Sequence, residues 1–120
     1  MSYWEKTVQK ILDVDPRIRY VGIVDRSYRV IHSRMRQGIR SLTSPETERN
    51  FVSMVPPIIV EGADKLESEC GSMQGLVIQY KRIVLTIHPV GEYIVVLSFD
   101  PSIEMPFLDK LSDLVRGIMK

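Results

Sequence analysis

The side chains most capable of chemistry in this sequence are one thiol and two imidazoles, those of Cys70, His32 and His88. A nucleophile needs a base and an orienting group beside it, but no local motif joins the cysteine to either histidine. One cysteine excludes an internal disulfide and a multi-cysteine zinc site, and no carboxylate stands at ligand spacing from a histidine. We therefore predict no catalytic residue, no metal, no cofactor and no enzymatic activity. Turnover that is lost on replacing Cys70 or His32 would overturn this prediction.

Arginines dominate one stretch of the chain. Residues 26–40 contain five arginines and no acidic residue. The planar guanidinium matches phosphate and carboxylate groups, so this stretch is a candidate surface for an anion or an acidic protein partner, formed by Arg29, Arg34, Arg36 and Arg40. The alternative is that the arginines protect an edge strand against aggregation. Over the whole chain, 16 basic and 15 acidic residues give a net charge of +1, which predicts no nucleic-acid partner.

The first third of the chain predicts one helix and two strands. Ser2 caps a short amphipathic helix, which we expect to end near Asp15 because Pro16 follows it. Residues 18–24 are mostly apolar and predict a central strand. Residues 28–35 predict a second strand, antiparallel to the first across a short polar break. We expect Asp25 to serve that turn.

A central helix and a second group of strands follow. Ser44 and Pro45 begin the helix, which is expected to run to about Glu69. An interior proline removes a backbone hydrogen bond, so we expect a kink, or two helices meeting, near Pro56. Three strands are predicted at residues 76–80, 83–88 and 92–99, and a final amphipathic helix begins near Met105.

The central helix also carries a candidate dimer interface. Four apolar residues follow one another at helical spacing on one face, and they are Phe51, Met54, Val55 and Ile58. Filling of the core by these side chains is the alternative, particularly for methionine, which adapts to irregular spaces.

The predicted order of elements is α-β-β-α-β-β-β-α. Short connections between the strands favour an α+β fold with a five-stranded antiparallel sheet, and 120 residues fit one domain over residues 1–120. Two segments of the chain stand out, ILDVDPRIRYVGIVDRSYRVI (residues 11–31) and GLVIQYKRIVLTIHPVGEYIVVLSF (residues 75–99), and a long helix follows the second. Both segments are similar to the roadblock/dynein-light-chain family, within the longin-like and profilin-like group. Tyr28 stands where the family usually has glycine.

This resemblance implies a non-enzymatic module that forms a homodimer through the central helix and an edge strand. Such domains are platforms for protein partners, often small GTPases. A PAS-like or profilin-like sensory domain, with a small ligand between sheet and helix, is the alternative, since YVGIVDRSYRVIHS (residues 20–33) is similar to a PAS opening. The long C-terminal helix favours the roadblock interpretation.

The apolar runs of the sequence are strand-sized. A membrane-spanning helix needs about 20 apolar residues, and no run reaches that length. The first ten residues also lack the apolar stretch of a signal peptide. We therefore expect a cytoplasmic protein without a membrane span.

Overall fold

The computed structural model describes residues 1–119, except for the side chain of Met105. Helices and strands follow the predicted order, with one short helix added after the central one. The elements are α1 (Tyr3–Leu12), β1 (Ile18–Asp25), β2 (Val30–Met35), α2 (Pro45–Ala63), a 3₁₀ turn (Asp64–Leu66), α3 (Glu67–Cys70), β3 (Leu76–Gln79), β4 (Val84–Val90), β5 (Tyr93–Phe99) and α4 (Met105–Met119). The predicted α+β class is confirmed.

Within the described residues, the five strands form one antiparallel sheet in the order β2-β1-β5-β4-β3. β1 pairs with β2 on one side and with β5 on the other, so the apolar strand predicted to be central lies inside the sheet. The strands β2 and β3 are the two edges. This arrangement confirms the predicted five-stranded antiparallel sheet.

Helices cover both faces of the sheet. On one face, α1 and α4 enclose a core with Ile11, Phe99 and Leu111 at its centre, all of them fully buried. On the other face, α2 packs Val52 and Val60 against the sheet. Burial of these side chains is the main source of stability, at about 25 cal/mol for each Å² of apolar surface removed from water.

Both α1 and α2 begin with a side-chain cap, as the sequence predicted. The hydroxyl oxygen of Ser2 accepts a hydrogen bond from the backbone N–H of Glu5 at 3.2 Å, and that of Ser44 accepts one from Thr47 at 3.1 Å. Each cap satisfies one of the four free N–H groups that every helix start exposes. The first helix ends at Leu12, three residues earlier than expected.

The central helix corrects two sequence predictions. α2 continues through Pro56 and Pro57 to Ala63, so the alternative of two helices meeting near Pro56 is wrong, while a kink there stays a prediction. The regular helix also does not reach Glu69. Both proline rings are buried, and their packing offsets the two backbone hydrogen bonds that they remove. The chain instead changes to a 3₁₀ turn after Ala63.

The second strand also differs from its prediction. β2 begins at Val30 instead of Tyr28, because Tyr28 has a φ of 68° and leaves the extended conformation. A bulge at Ile31 then shifts the register, since Val30 pairs with Val24 but His32 pairs with Ile23. Paired residues share a face of the sheet, so Val30 lies on the α2 face and His32 on the opposite face. A regular alternation along residues 28–35 would place the two on one face.

None of the helices within residues 1–119 is both long enough and apolar enough to cross a membrane.

Candidate functional site

The predicted interface residues of α2 form an exposed apolar stripe, defined here as Phe51, Met54, Val55 and Ile58. Met54 and Ile58 are 54% and 51% exposed, whereas Phe51 and Val55 are half-buried. The spacing i, i+3, i+4, i+7 places all four on one face of the helix. Large apolar side chains that remain half in water mark a surface suited to association.

The edge strand β3 also directs apolar side chains toward the α2 side of the sheet. β3 pairs only with β4 within the described residues. Leu76 and Ile78 pair with Ile87 and Leu85 and face the α2 side of the sheet, where both remain half-buried. An edge strand presents unpaired N–H and C=O groups to any second strand that approaches it. The stripe therefore offers apolar contacts, and the β3 edge offers backbone hydrogen bonds.

A cavity of about 360 Å³ lies between the start of α2 and the sheet. Residues 41–43 and the turn between β3 and β4 form its outer walls. Its lining is mostly apolar and includes Met35, Leu42, Phe51, Val52, Ile83, Leu85 and Val96. A mostly apolar cavity of roughly 300–1,000 Å³ with few polar groups is typical of small-molecule sites.

Two titratable side chains meet inside this cavity. Burial raises the pKa of the Glu48 carboxyl. Burial, and then the negative charge of Glu48, raise the pKa of the Tyr20 phenol well above its usual range. Both effects disfavour a negative charge on groups that are removed from water. The part of the cavity beside Tyr20 and Glu48 is therefore unfavourable for an anion.

Arg29 belongs to the turn that precedes β2. Its guanidinium Nε lies 2.9 Å from Asp25 Oδ2, while Asp25 Oδ1 accepts hydrogen bonds from the backbone N–H groups of Ser27 and Arg29 at 2.8 and 3.0 Å. Burial alone would raise the pKa of Asp25, but the hydrogen bonds from Arg29 and Ser27 outweigh it and lower the pKa. The predicted turn function of Asp25 is thereby confirmed.

The other three candidate arginines have different surroundings. Arg34 donates to the side chain of Gln9 on α1. Arg36 donates to the backbone carbonyls of Ile18, Leu12 and Asp15, at 2.7, 2.5 and 2.8 Å. Arg40 is exposed.

The four candidate arginines therefore differ in how far their side chains are already engaged by other parts of the chain. Arg29 precedes β2, Arg34 lies within it, and Arg36 and Arg40 follow it. Their proposed binding of an anion or an acidic partner stays a prediction.

One polar cluster was not predicted. His88 is buried between β4 and α4, with Nδ1 2.8 Å from Ser112 Oγ and Nε2 2.8 Å from Thr86 Oγ1. Burial, and then the positive charge of Arg116, lower the pKa of His88 to about 4, so the ring is neutral near pH 7. Gly75 lies above this cluster, because a Cβ there would stand 2.8 Å from Ser112 Oγ. The strand period places Thr86 and His88 on one face, but nothing local indicates Ser112.

The remaining chemistry-bearing side chains are dispersed. Cys70 is exposed at the end of α3. His32 and His88 lie on strands that are separated by β1 and β5. Among the residues that the structure describes, no group of three or more His, Cys, Asp or Glu side chains could hold a metal ion.

Comparison with solved structures identifies the class of fold. No protein-family model matches the chain, and no curated protein matches its sequence. The roadblock/LC7 domain of Streptomyces avermitilis matches with a TM-score of 0.69 at 8% identity, over 95% of this chain and 92% of that chain. MglB of Myxococcus xanthus matches with 0.68 at 18% identity, over 98% of both chains. Profilin II of Acanthamoeba castellanii matches with 0.60 at 10% identity, over 97% and 95%.

These matches define an α+β fold of the roadblock/profilin-like class. The roadblock/LC7 domain and MglB have higher TM-scores than the profilin. The chain has a roadblock/longin-like fold, as the two sequence segments had predicted.

Proposed function

We propose that this chain is a non-enzymatic protein-interaction module that forms a homodimer. The observation that carries the proposal is that the α2 side of the molecule bears both the apolar stripe and, on the edge strand β3, the half-buried side chains of Leu76 and Ile78. Two copies related by a two-fold axis would bring stripe against stripe and β3 against β3. The same patch then serves both subunits, and one interface protects the apolar side chains and the unpaired backbone groups.

The energetic argument concerns Met54 and Ile58. Each is about half exposed in the single chain, and complete burial of such a side chain contributes roughly 1.5–3 kcal/mol relative to full exposure. In a symmetric dimer both subunits bury these two side chains, so the free energy of burial contributes twice. Pairing of two β3 strands adds backbone hydrogen bonds and extends the sheet.

The resemblance to roadblock domains supports a protein partner, and a small GTPase is the partner that we propose. One interaction domain over residues 1–120 and a cytoplasmic location complete the proposal. Regulation by such a module requires only that the dimer present one surface to its partner, and no reacting group is assigned to it.

The dimer is tested by light scattering across a range of concentrations. We expect the wild-type mass to be twice the chain mass of 13.8 kDa, and Met54→Glu or Ile58→Glu to give folded monomers, because a charge cannot be buried in an apolar interface. Arg49→Glu is the control: Arg49 is exposed and lies half a turn around α2 from Ile58. A wild-type monomer, or a dimer that survives both glutamates, would contradict the proposal.

The arginines suggest where an acidic partner makes contact. We propose that Arg29, Arg34, Arg36 and Arg40 contribute to this contact, and we choose Arg29 and Arg40 for the test because both are exposed. The double variant Arg29→Ala/Arg40→Ala should weaken binding to a purified small GTPase without changing the melting temperature. Unchanged binding would leave these arginines as protection for the β2 edge.

The alternative function, a domain that holds a small ligand between sheet and helix, has one observation in its favour. This observation is the mostly apolar cavity between α2 and the sheet.

A further inference from the structure

The cavity between α2 and the sheet has a charged end and an apolar end. The strand pairing shows how the residues at the bottom of the cavity follow one another. Ser98 pairs with both Tyr20 and Leu85, and Val96 lies two residues before Ser98 on β5. Arg82 and Ile83 immediately precede β4, at the end of the sheet where β5 finishes. The cavity therefore extends from the sheet end at Arg82 inward to Val96.

Two arginines line the outer end. Arg19 is held in place, because it donates to Asp100 at 3.1 Å and to the carbonyl oxygen of Arg40 at 3.0 Å. Arg82 is exposed and has no ion-pair partner within residues 1–119. The outer end thus has one fixed cation that is already compensated and one that is free to receive an anion.

The inner end is apolar and closed by α2. Val52 and Val96 are almost completely buried, whereas Leu85 is only half-buried because part of its side chain faces the cavity. Glu48 is the acidic residue of the lining, and it lies close enough to Tyr20 to raise the pKa of that phenol. The lining therefore contains two arginines and one carboxyl group.

We propose that this cavity binds a dissolved small molecule with an apolar body and one carboxylate, the carboxylate at Arg82 and the body against Leu85 and Val96. Charge complementarity selects the carboxylate, because a guanidinium pairs with it through two parallel hydrogen bonds. The volume and the apolar lining of the cavity favour a ligand whose remaining part is apolar. This site goes beyond the proposed dimer and does not require it.

The test uses decanoate as the probe and decanol as its uncharged equivalent, with binding followed by isothermal titration calorimetry. We expect saturable binding of one decanoate per chain, and weaker binding of decanol by about 2- to 5-fold, the loss of one partly exposed ion pair. Arg82→Ala should reduce decanoate affinity to that of decanol. Lys81→Ala is the matched control, because this exposed neighbour in the same turn does not line the cavity.

Two further variants test the position of the body. Leu85→Trp should abolish binding of both probes by filling the cavity, and Thr47→Trp, at an exposed position of the rim, should do the same if the first variant fails to fold. Glu48→Gln should strengthen decanoate binding by removing a negative charge from the lining. Absence of saturable binding, equal affinity for decanoate and decanol, or wild-type affinity in a folded Trp variant would each overturn the proposal.

Discussion

The hydroxyl oxygen of Tyr20 lies 2.5 Å from the position that a Cβ atom on Gly22 would occupy. The tyrosine ring therefore folds back over its own strand, and two ring carbons also lie within 3.0 Å of that position. Gly22 lies on the α2 face of the sheet, and its lack of a side chain makes room for the ring that lines the cavity. Here the glycine is required by a close approach and not by its backbone conformation.

Gly22→Ala should destabilise the protein by about 1–3 kcal/mol, since the added methyl group overpacks a buried site. Urea unfolding followed by circular dichroism measures the change. Gly117→Ala is the control, because nothing lies within 4 Å of a Cβ at this helical position, and alanine is there expected to stabilise by up to about 1 kcal/mol. Equal effects of the two substitutions would show that Tyr20 does not require the glycine.

Tyr28 offers a stabilising substitution. Its φ of 68° lies in the left-handed region, where an L-residue with a Cβ is strained by roughly 1–2 kcal/mol. Tyr28→Gly should raise the free energy of unfolding by up to about 1 kcal/mol, because relief of strain exceeds the added entropy of the unfolded chain. Ser27→Gly, one residue earlier and without a positive φ, should lower it. A lower melting temperature for Tyr28→Gly would contradict this reasoning.

His88 predicts a pH dependence of stability. Its folded pKa of about 4 lies below the ordinary value of 6.5, so the unfolded chain binds the proton more readily and acid favours unfolding. Stability should be independent of this group above about pH 6.5 and should fall as the pH decreases to 4, by on the order of 3 kcal/mol in total. In His88→Gln the fall between pH 6.5 and 4 should be smaller. An identical pH profile for the variant would assign the effect to other groups.

Arg36 is expected to act through backbone contacts. Its three hydrogen bonds to carbonyl oxygens join the end of α1 to the start of β1. Arg36→Ala should cost about 2–4 kcal/mol, because hydrogen bonds to a charged group are strong and the carbonyls lose their partner. Arg40→Ala, at an exposed position nearby, should change stability by less than about 0.5 kcal/mol. Similar melting temperatures for the two variants would show that the hydrogen bonds of Arg36 to these carbonyl oxygens do not stabilise the fold.

Periodicity predicted much of the fold because each apolar pattern here is local. Residues 18–24 are mostly apolar and lie in an inner strand, and Ser2 and Ser44 cap the helices they precede. The stripe on α2 was also predicted as a face, since helical spacing alone defines it. The continuity of α2 through Pro56 was harder to predict, because local chemistry shows the lost hydrogen bond but not the burial of the ring.

The candidate sites were less predictable where they depend on distant residues. The five arginines of residues 26–40 suggest one basic surface, yet Arg36 turns to the carbonyls of Leu12 and Asp15, which the sequence places far away. Ser112 approaches His88 only because α4 packs on β4. The cavity under α2 combines residues from the loop at residues 41–43, from α2 and from β1, β4 and β5.

By itself the sequence determined the order of elements, the antiparallel sheet, the apolar stripe and the absence of a local catalytic motif, because all of these depend on periodicity, turn chemistry and short connections. Tertiary structure decided which strand is left at the edge, how Tyr20 fits over Gly22, and where Arg82 meets an apolar cavity. Those features depend on packing between elements that are remote in the chain, where the fit of whole side chains, and not a repeating pattern, selects the arrangement.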